Sequence, residues 1–266
     1  AARGFGVLLW FVATPARAQE APAPSADPCD VLAEMPALPT FGGSVWRRPK
    51  LTGSWGGRRD RMAQRGVLLD FDWTQVVQGV VNGGLRERWA TVANLDFRAT
   101  FDLTRMRLVP GAIVSFRAQA RFGETVNGDS GLLLPVNAYG AFPQTDEPDE
   151  DVPIAITELN WLQMVSDELG FLAGKITTLA GSNEFAGGEG RTQFMNFQLM
   201  FPSVLAQTAP YSTLAAGVLW SPSPRLRVSS MVMNWADAST TSGLDDLDQG
   251  QTWWTSVDGG WRARSK

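Results

Sequence analysis

The run Asn94-Leu95-Asp96-Phe97-Arg98-Ala99-Thr100-Phe101-Asp102-Leu103-Thr104 is followed, after a short turn, by Val114-Ser115-Phe116-Arg117-Ala118-Gln119-Ala120-Arg121-Phe122. Both runs alternate apolar and polar residues with a period of two, the pattern of strands with one face of each kind. Leu95, Phe97, Ala99, Phe101 and Leu103 share one side of the first, and Val114, Phe116, Ala118, Ala120 and Phe122 one side of the second. The opposite sides carry full charges of both signs, Asp96, Arg98, Asp102, Arg117 and Arg121, together with Gln119. A solvated sheet would carry mostly Ser and Thr there. Two architectures present such strands: a sandwich with a wet outer face, and a membrane barrel with lipid outside and water inside.

Composition narrows the choice. The chain has 266 residues, 19% of them charged, and a net charge of −4, which suits one large β domain. Basic residues are neither in excess nor gathered into a block, so nothing points to a nucleic-acid partner and none is expected. Beyond the N-terminus no apolar run reaches the roughly 18 residues of a membrane helix. There is no His, which removes His-based acid–base catalysis, Ser-His-Asp triads and most transition-metal sites. Cys29 is the single cysteine. It lies in a Pro/Ala-rich stretch and reads as an ordinary thiol in a tether.

Residues 1–18 read as a secretory signal, with an apolar core from Gly6 to Ala13 and an Ala16-Arg17-Ala18 cleavage triplet. With Arg3 as its only early base and no initiator Met, the N-terminus is expected to be incomplete. Residues 19–50 are rich in Ala, Pro, Asp and Gly and are expected to form a flexible periplasmic tether. A short periplasmic helix is expected from Trp55 to Arg65, with Ser54 as N-cap and Gly66 as stop. Its cluster Arg58, Arg59, Arg61 and Arg65 reads first as a solvated face and second as a contact with anionic headgroups.

Strands are then expected at Val67–Val81, Trp89–Thr104, Gly111–Gly123, Pro153–Val165, Leu169–Thr178, Thr213–Trp220, Arg225–Trp235 and Gln251–Trp261. Most are about 10 to 15 residues long, enough to cross a bilayer at a tilt, for which roughly 9–11 suffice. After the first hairpin the connections alternate short and long, which is the layout of an outer-membrane barrel with turns at one end and loops at the other. Soluble sandwiches use strands of about 5–6 residues and have no reason to segregate loop lengths. Trp89, Trp161, Trp220, Trp235, Trp253 and Trp254 lie in or near strand ends, where interfacial girdles place them.

Three blocks go beyond pattern. Leu51-Thr52-Gly53-Ser54-Trp55-Gly56-Gly57-Arg58-Arg59-Asp60, followed by Gly66-Val67, resembles the opening of the carbohydrate-selective porins of the OprB family. So does Leu134-Pro135-Val136-Asn137 with Thr157-Glu158-Leu159. The third match runs through Ala173-Gly174-Lys175-Ile176, Asn183-Glu184-Phe185-Ala186 and Gly190-Arg191-Thr192-Gln193-Phe194-Met195-Asn196. The resemblance implies an outer-membrane β-barrel of about 16 antiparallel strands, with interior charges, arginines prominent, narrowing a sugar channel. This sequence departs from it in two ways: it supplies half that number of strands, and it closes on Arg262-Ala263-Arg264-Ser265-Lys266 instead of an aromatic-ended strand. The barrel domain, 51–266, is therefore expected to be incomplete at its C-terminal end.

A sugar offers neutral hydroxyls, each donor and acceptor, so selecting it over ions calls for closely mixed acids and bases. Candidate pore-lining residues are Asp96, Arg98, Asp102, Arg117, Gln119 and Arg121. Glu158 and Lys175 join them with a less certain face, because Ile154, Ile156, Leu162 and Met164 share the parity of Glu158. Asn183, Glu184, Arg191, Gln193 and Asn196 lie in a glycine-rich segment expected to fold inward as a constriction. The acidic run from Asp146 to Asp151 lacks the spacing of a calcium loop and reads as a solvated tip. Gly187-Gly188-Glu189-Gly190 lacks the Lys-Ser/Thr of a phosphate loop. The expected function is passive diffusion of mono- or disaccharides across the outer membrane, with lipid as the other partner and neither catalysis nor cofactor. The rival is a small closed eight-stranded barrel with a structural or adhesion role, its lumen filled by internal ion pairs.

Overall fold

The computed structural model describes residues 40–143, 152–178, 194–200, 209–223 and 226–259. Eight strands form one antiparallel sheet: β1 (Val67–Val80), β2 (Arg88–Asp102), β3 (Ala112–Gly123), β4 (Ala155–Met164), β5 (Leu169–Thr177), β6 (Ser212–Ser223), β7 (Leu226–Asn234) and β8 (Gln251–Gly259). Each pairs with its neighbours in the chain. Every expected strand is present. The largest shift in bounds is at β6, where a bulge between Trp220 and Ser223 carries the strand into the expected turn.

The sheet is linear. Among the described residues no ladder joins β8 to β1, so the expected alternative of a barrel closed on eight strands is not what these strands form. The side chains on the apolar side of the two end strands are correspondingly bare: Phe71, Trp73, Trp253 and Val257 are 62–72% exposed.

Register settles the faces. Phe71, Phe97 and Ala118 oppose one another across two ladders, as do Leu69, Ala99, Phe116 and Leu159 across three. This face carries exposed Leu159, Trp161, Phe171 and Val218, and of the six expected girdle tryptophans Trp89, Trp161, Trp220, Trp235 and Trp253 are exposed. Trp254 does not fit that reading. It opposes Met231, and alternation puts it on the other face from its exposed neighbour Trp253.

At one rim the strands are joined by residues 81–87, 124–154, 178–211 and 235–250, and at the other by 103–111, 165–168 and 224–225. The buried apolar side chains make no single slab. They form small clusters where long connections lie on the sheet: Leu134, Ala138, Phe197 and Tyr211; Val76, Val92 and Met195; Val80, Val126 and Val136.

Helix α1 (Arg58–Gln64) precedes β1 at the rim of short turns. It starts later than expected, because Trp55, Gly56 and Gly57 have left-handed φ of 52°, 65° and 79°. Ser54 does not cap it. Its hydroxyl accepts from the Gly57 N–H at 3.3 Å, inside the approach turn. Gly66 ends the connection as expected, with φ of 89° and no room for a Cβ, which would lie 2.5 Å from the Asp102 carbonyl. Docked chain begins before residue 51. Phe41 is buried and its N–H donates to Asp60 Oδ1, and Lys50 pairs with Asp70 and Asp72. Helix α2 (Phe197–Met200) is a single turn.

Candidate pore wall

The charged face is organised in rows, because period two places alternate residues on one side and register aligns them across strands. Asp70, Arg98, Arg117 and Glu158 form one row across β1–β4. Asp72, Asp96 and Gln119 form the next. Directly opposed like charges are destabilising, yet Arg98 faces Arg117. The adjacent row resolves the conflict. Arg117 donates from Nε to Asp96 Oδ1 at 3.0 Å and from Nη2 to Oδ2 at 2.6 Å. Arg98 Nη2 donates to the same Oδ2 at 3.0 Å. Asp96 is fully buried, Arg117 nearly so, and Arg98 keeps a third of its side chain exposed. One carboxylate thus holds two guanidinium groups in the wall.

Glu158 reaches this row through a β-bulge. Register shifts between Arg117 and Ala118: Arg117 opposes Glu158, Ala118 opposes Ile156, and Thr157 is the extra residue. Ile154 and Ile156 are exposed on the apolar side, as are Leu159 and Trp161. Thr157 and Glu158 both turn to the polar side, a re-aiming of side chains that bulges produce. This resolves the parity conflict in the sequence. Thr157 Oγ1 donates to Gln119 Oε1 at 2.9 Å, and Asn160 Nδ2 donates to Glu158 Oε1 at 2.9 Å.

The described parts of two long connections, 124–143 and 194–200 with 209–211, lie against this face. Asn94 Nδ2 donates to the Phe142 carbonyl at 3.2 Å and Arg121 Nη1 to the Gly140 carbonyl at 2.7 Å. Tyr211 closes the second connection: its hydroxyl donates to Gln119 Oε1 at 2.6 Å, and its ring stacks on Phe142 at 5.0 Å. The Phe197 N–H donates to the Pro135 carbonyl, and the Ala138 N–H to that of Met195. The connection seen to fold inward is therefore 124–143, latched to the edges of 178–211. Asn183, Glu184, Arg191, Gln193, the acidic run and the glycine motif lie outside the described residues.

The remaining expected residues do other work. Asp102 sits at the turn after β2, where its carboxylate accepts from the Arg105 N–H and pairs with its guanidinium, both at 3.0 Å. Lys175 is buried and donates to the Thr241 carbonyl at 2.7 Å, tying β5 to 235–250. Asn196 caps α2, its Oδ1 accepting from the Gln198 N–H.

At the opposite end, Arg59 is buried, against its reading as part of a solvated face. It donates to the Leu69 carbonyl and to Asp70 Oδ1 at 2.6 Å, and its guanidinium lies 4.0 Å from the Phe41 ring centroid, within cation–π range. Sequence reasoning missed Asp70, Asp72, Asn94, Thr157 and Tyr211. For the two aspartates the signal was present, since they alternate with Leu69, Phe71 and Trp73.

No family model matches the sequence, and no curated protein matches it. Among solved structures, the high-pH structure of Pseudomonas putida OprB superposes with a TM-score of 0.59 at 18% identity, over 75% of this chain and 48% of that one. The sheet has the OprB fold. The chain spans about half the length of the OprB it matches.

Proposed function

We propose that these strands form part of the wall of an outer-membrane porin through which mono- and disaccharides diffuse passively. One observation carries the reading: a sheet of strands 9 to 15 residues long, with an apolar face left bare and an opposite face of paired acids and bases. Lipid satisfies the first face without further protein. Water and neutral solutes suit the second, because mixed charges supply directional hydrogen bonds without a field of one sign. The reading invokes no catalytic step and no cofactor. The inward-folded 124–143 connection narrows the channel, and the strand rim with long connections faces outward from the cell.

Liposome swelling tests this. Vesicles reconstituted with the protein should swell faster in glucose than in an amino acid of similar size. Equal rates would remove the sugar preference, and no swelling in either would remove the porin reading.

A further inference from the structure

The acids on the polar side of β1–β4 are not equivalent. Asp70 is paired with Arg59 and Lys50, Asp72 with Lys50, Asp96 with Arg117 and Arg98, and Asp102 with Arg105. Glu158 makes no ion pair among the described residues. Its one hydrogen bond is the neutral amide of Asn160 at 2.9 Å. Arg117 opposes it in register but is turned toward Asp96, which it grips with two hydrogen bonds.

An ionised carboxylate accepts at about four lone-pair sites and donates at none. Asp96, fully buried with its acceptors taken by two guanidinium groups, has nothing to offer a solute. Glu158 is half-buried and so is not closed off from solvent. We infer that Glu158 is the acceptor through which the channel reads a passing sugar, whereas Asp96 is a structural anion that never meets one. This rests on the porin reading above.

The backbone supports the assignment. In a regular strand, with Thr157 present but not bulged, Glu158 would keep the parity of Ile154 and Ile156 and face the apolar side. The bulge is held in place by side chains from three other strands. Thr157 Oγ1 donates to Gln119 of β3, and the Thr157 carbonyl accepts from Ser212 Oγ of β6 at 2.7 Å and Thr177 Oγ1 of β5 at 3.4 Å. Arg98 stands two strands from Glu158 in the same row, about 10 Å away at normal strand spacing. A pyranose there would donate hydroxyls to Glu158, near an Arg98 side chain that is about a third exposed.

The test is block of ionic current by glucose in planar bilayers, comparing the wild-type protein with Glu158→Gln, Glu158→Asp and Asp96→Asn. Loss of a hydrogen bond to a charged acceptor should raise the half-blocking glucose concentration of Glu158→Gln about tenfold. Its unfolding midpoint should stay at the wild-type value, and Glu158→Asp should recover part of the block. Asp96→Asn should lower the unfolding midpoint, and in the protein that remains folded glucose should block as in wild type. Wild-type block in Glu158→Gln overturns the inference, as does a conducting wild-type channel that glucose does not block. A wild-type protein without conductance instead overturns the porin reading beneath it.

Discussion

Replacing Asp96 by Asn keeps the shape of the side chain and removes its charge. Arg117, which is 1% exposed, would then lose the carboxylate charge that it grips with two hydrogen bonds, while still facing Arg98 across the ladder. Leaving one member of a buried pair uncompensated costs about 3–5 kcal/mol. Here Arg98 retains a third of its surface and turns toward water, so we expect the lower end, about 3 kcal/mol. At 1.4 kcal/mol per decade that is a fall of roughly two decades in the folding equilibrium constant. The assay is denaturant unfolding in lipid vesicles, followed by the fluorescence of the 11 tryptophans. The Asp96→Ala/Arg117→Met double variant should be less destabilised than the sum of its single variants, because both members of the fully buried pair go together and only the partly exposed Arg98 loses a partner. A loss below about 1 kcal/mol in Asp96→Asn, the range of exposed pairs, would refute the view that this carboxylate is structural.

Three further outcomes follow from the same geometry. Leu159→Lys should cost about 2–4 kcal/mol in vesicles if its face meets lipid; a change within about 0.5 kcal/mol, usual for an exposed surface site, would mean that face is wet. Gly174→Ala should destabilise by at least about 1 kcal/mol, since φ is +127° and the new Cβ would lie 2.4 Å from the Leu159 carbonyl; faster amide exchange along β4–β5 would locate the damage. Arg59→Met keeps the apolar stem but loses the bond to Asp70 and the contact with Phe41, so trypsin should cut after Lys50 about tenfold faster, and an unchanged cutting rate would show that Arg59 does not hold this segment.

The strands were legible because alternation is a local signal that tertiary packing here reinforces: the Asp96/Arg98/Arg117/Gln119 side could be read without a single long-range contact. The site was legible only where that alternation holds. At Thr157 one extra residue reverses parity, so counting from Ile156 puts Glu158 with the isoleucines and counting from Leu159 puts it with the charges; register alone decides. Arg59 reads as one base among four, and its burial depends on Phe41 and Asp70, distant in sequence on either side. The inward fold of 124–143 leaves no periodic trace, since Leu134, Ala138 and Tyr211 come together from separate connections.

The meander has a kinetic consequence. Every ladder joins strands adjacent in the chain, so each can form once its hairpin is made, without waiting for a distant partner. Closure entropy grows only with the logarithm of loop length. Between the tight 165–168 turn and the long 124–154 connection lie roughly three doublings, or about 2 kcal/mol. At about 1.4 kcal/mol per decade, that slows the β3–β4 hairpin by a little over one decade relative to β4–β5.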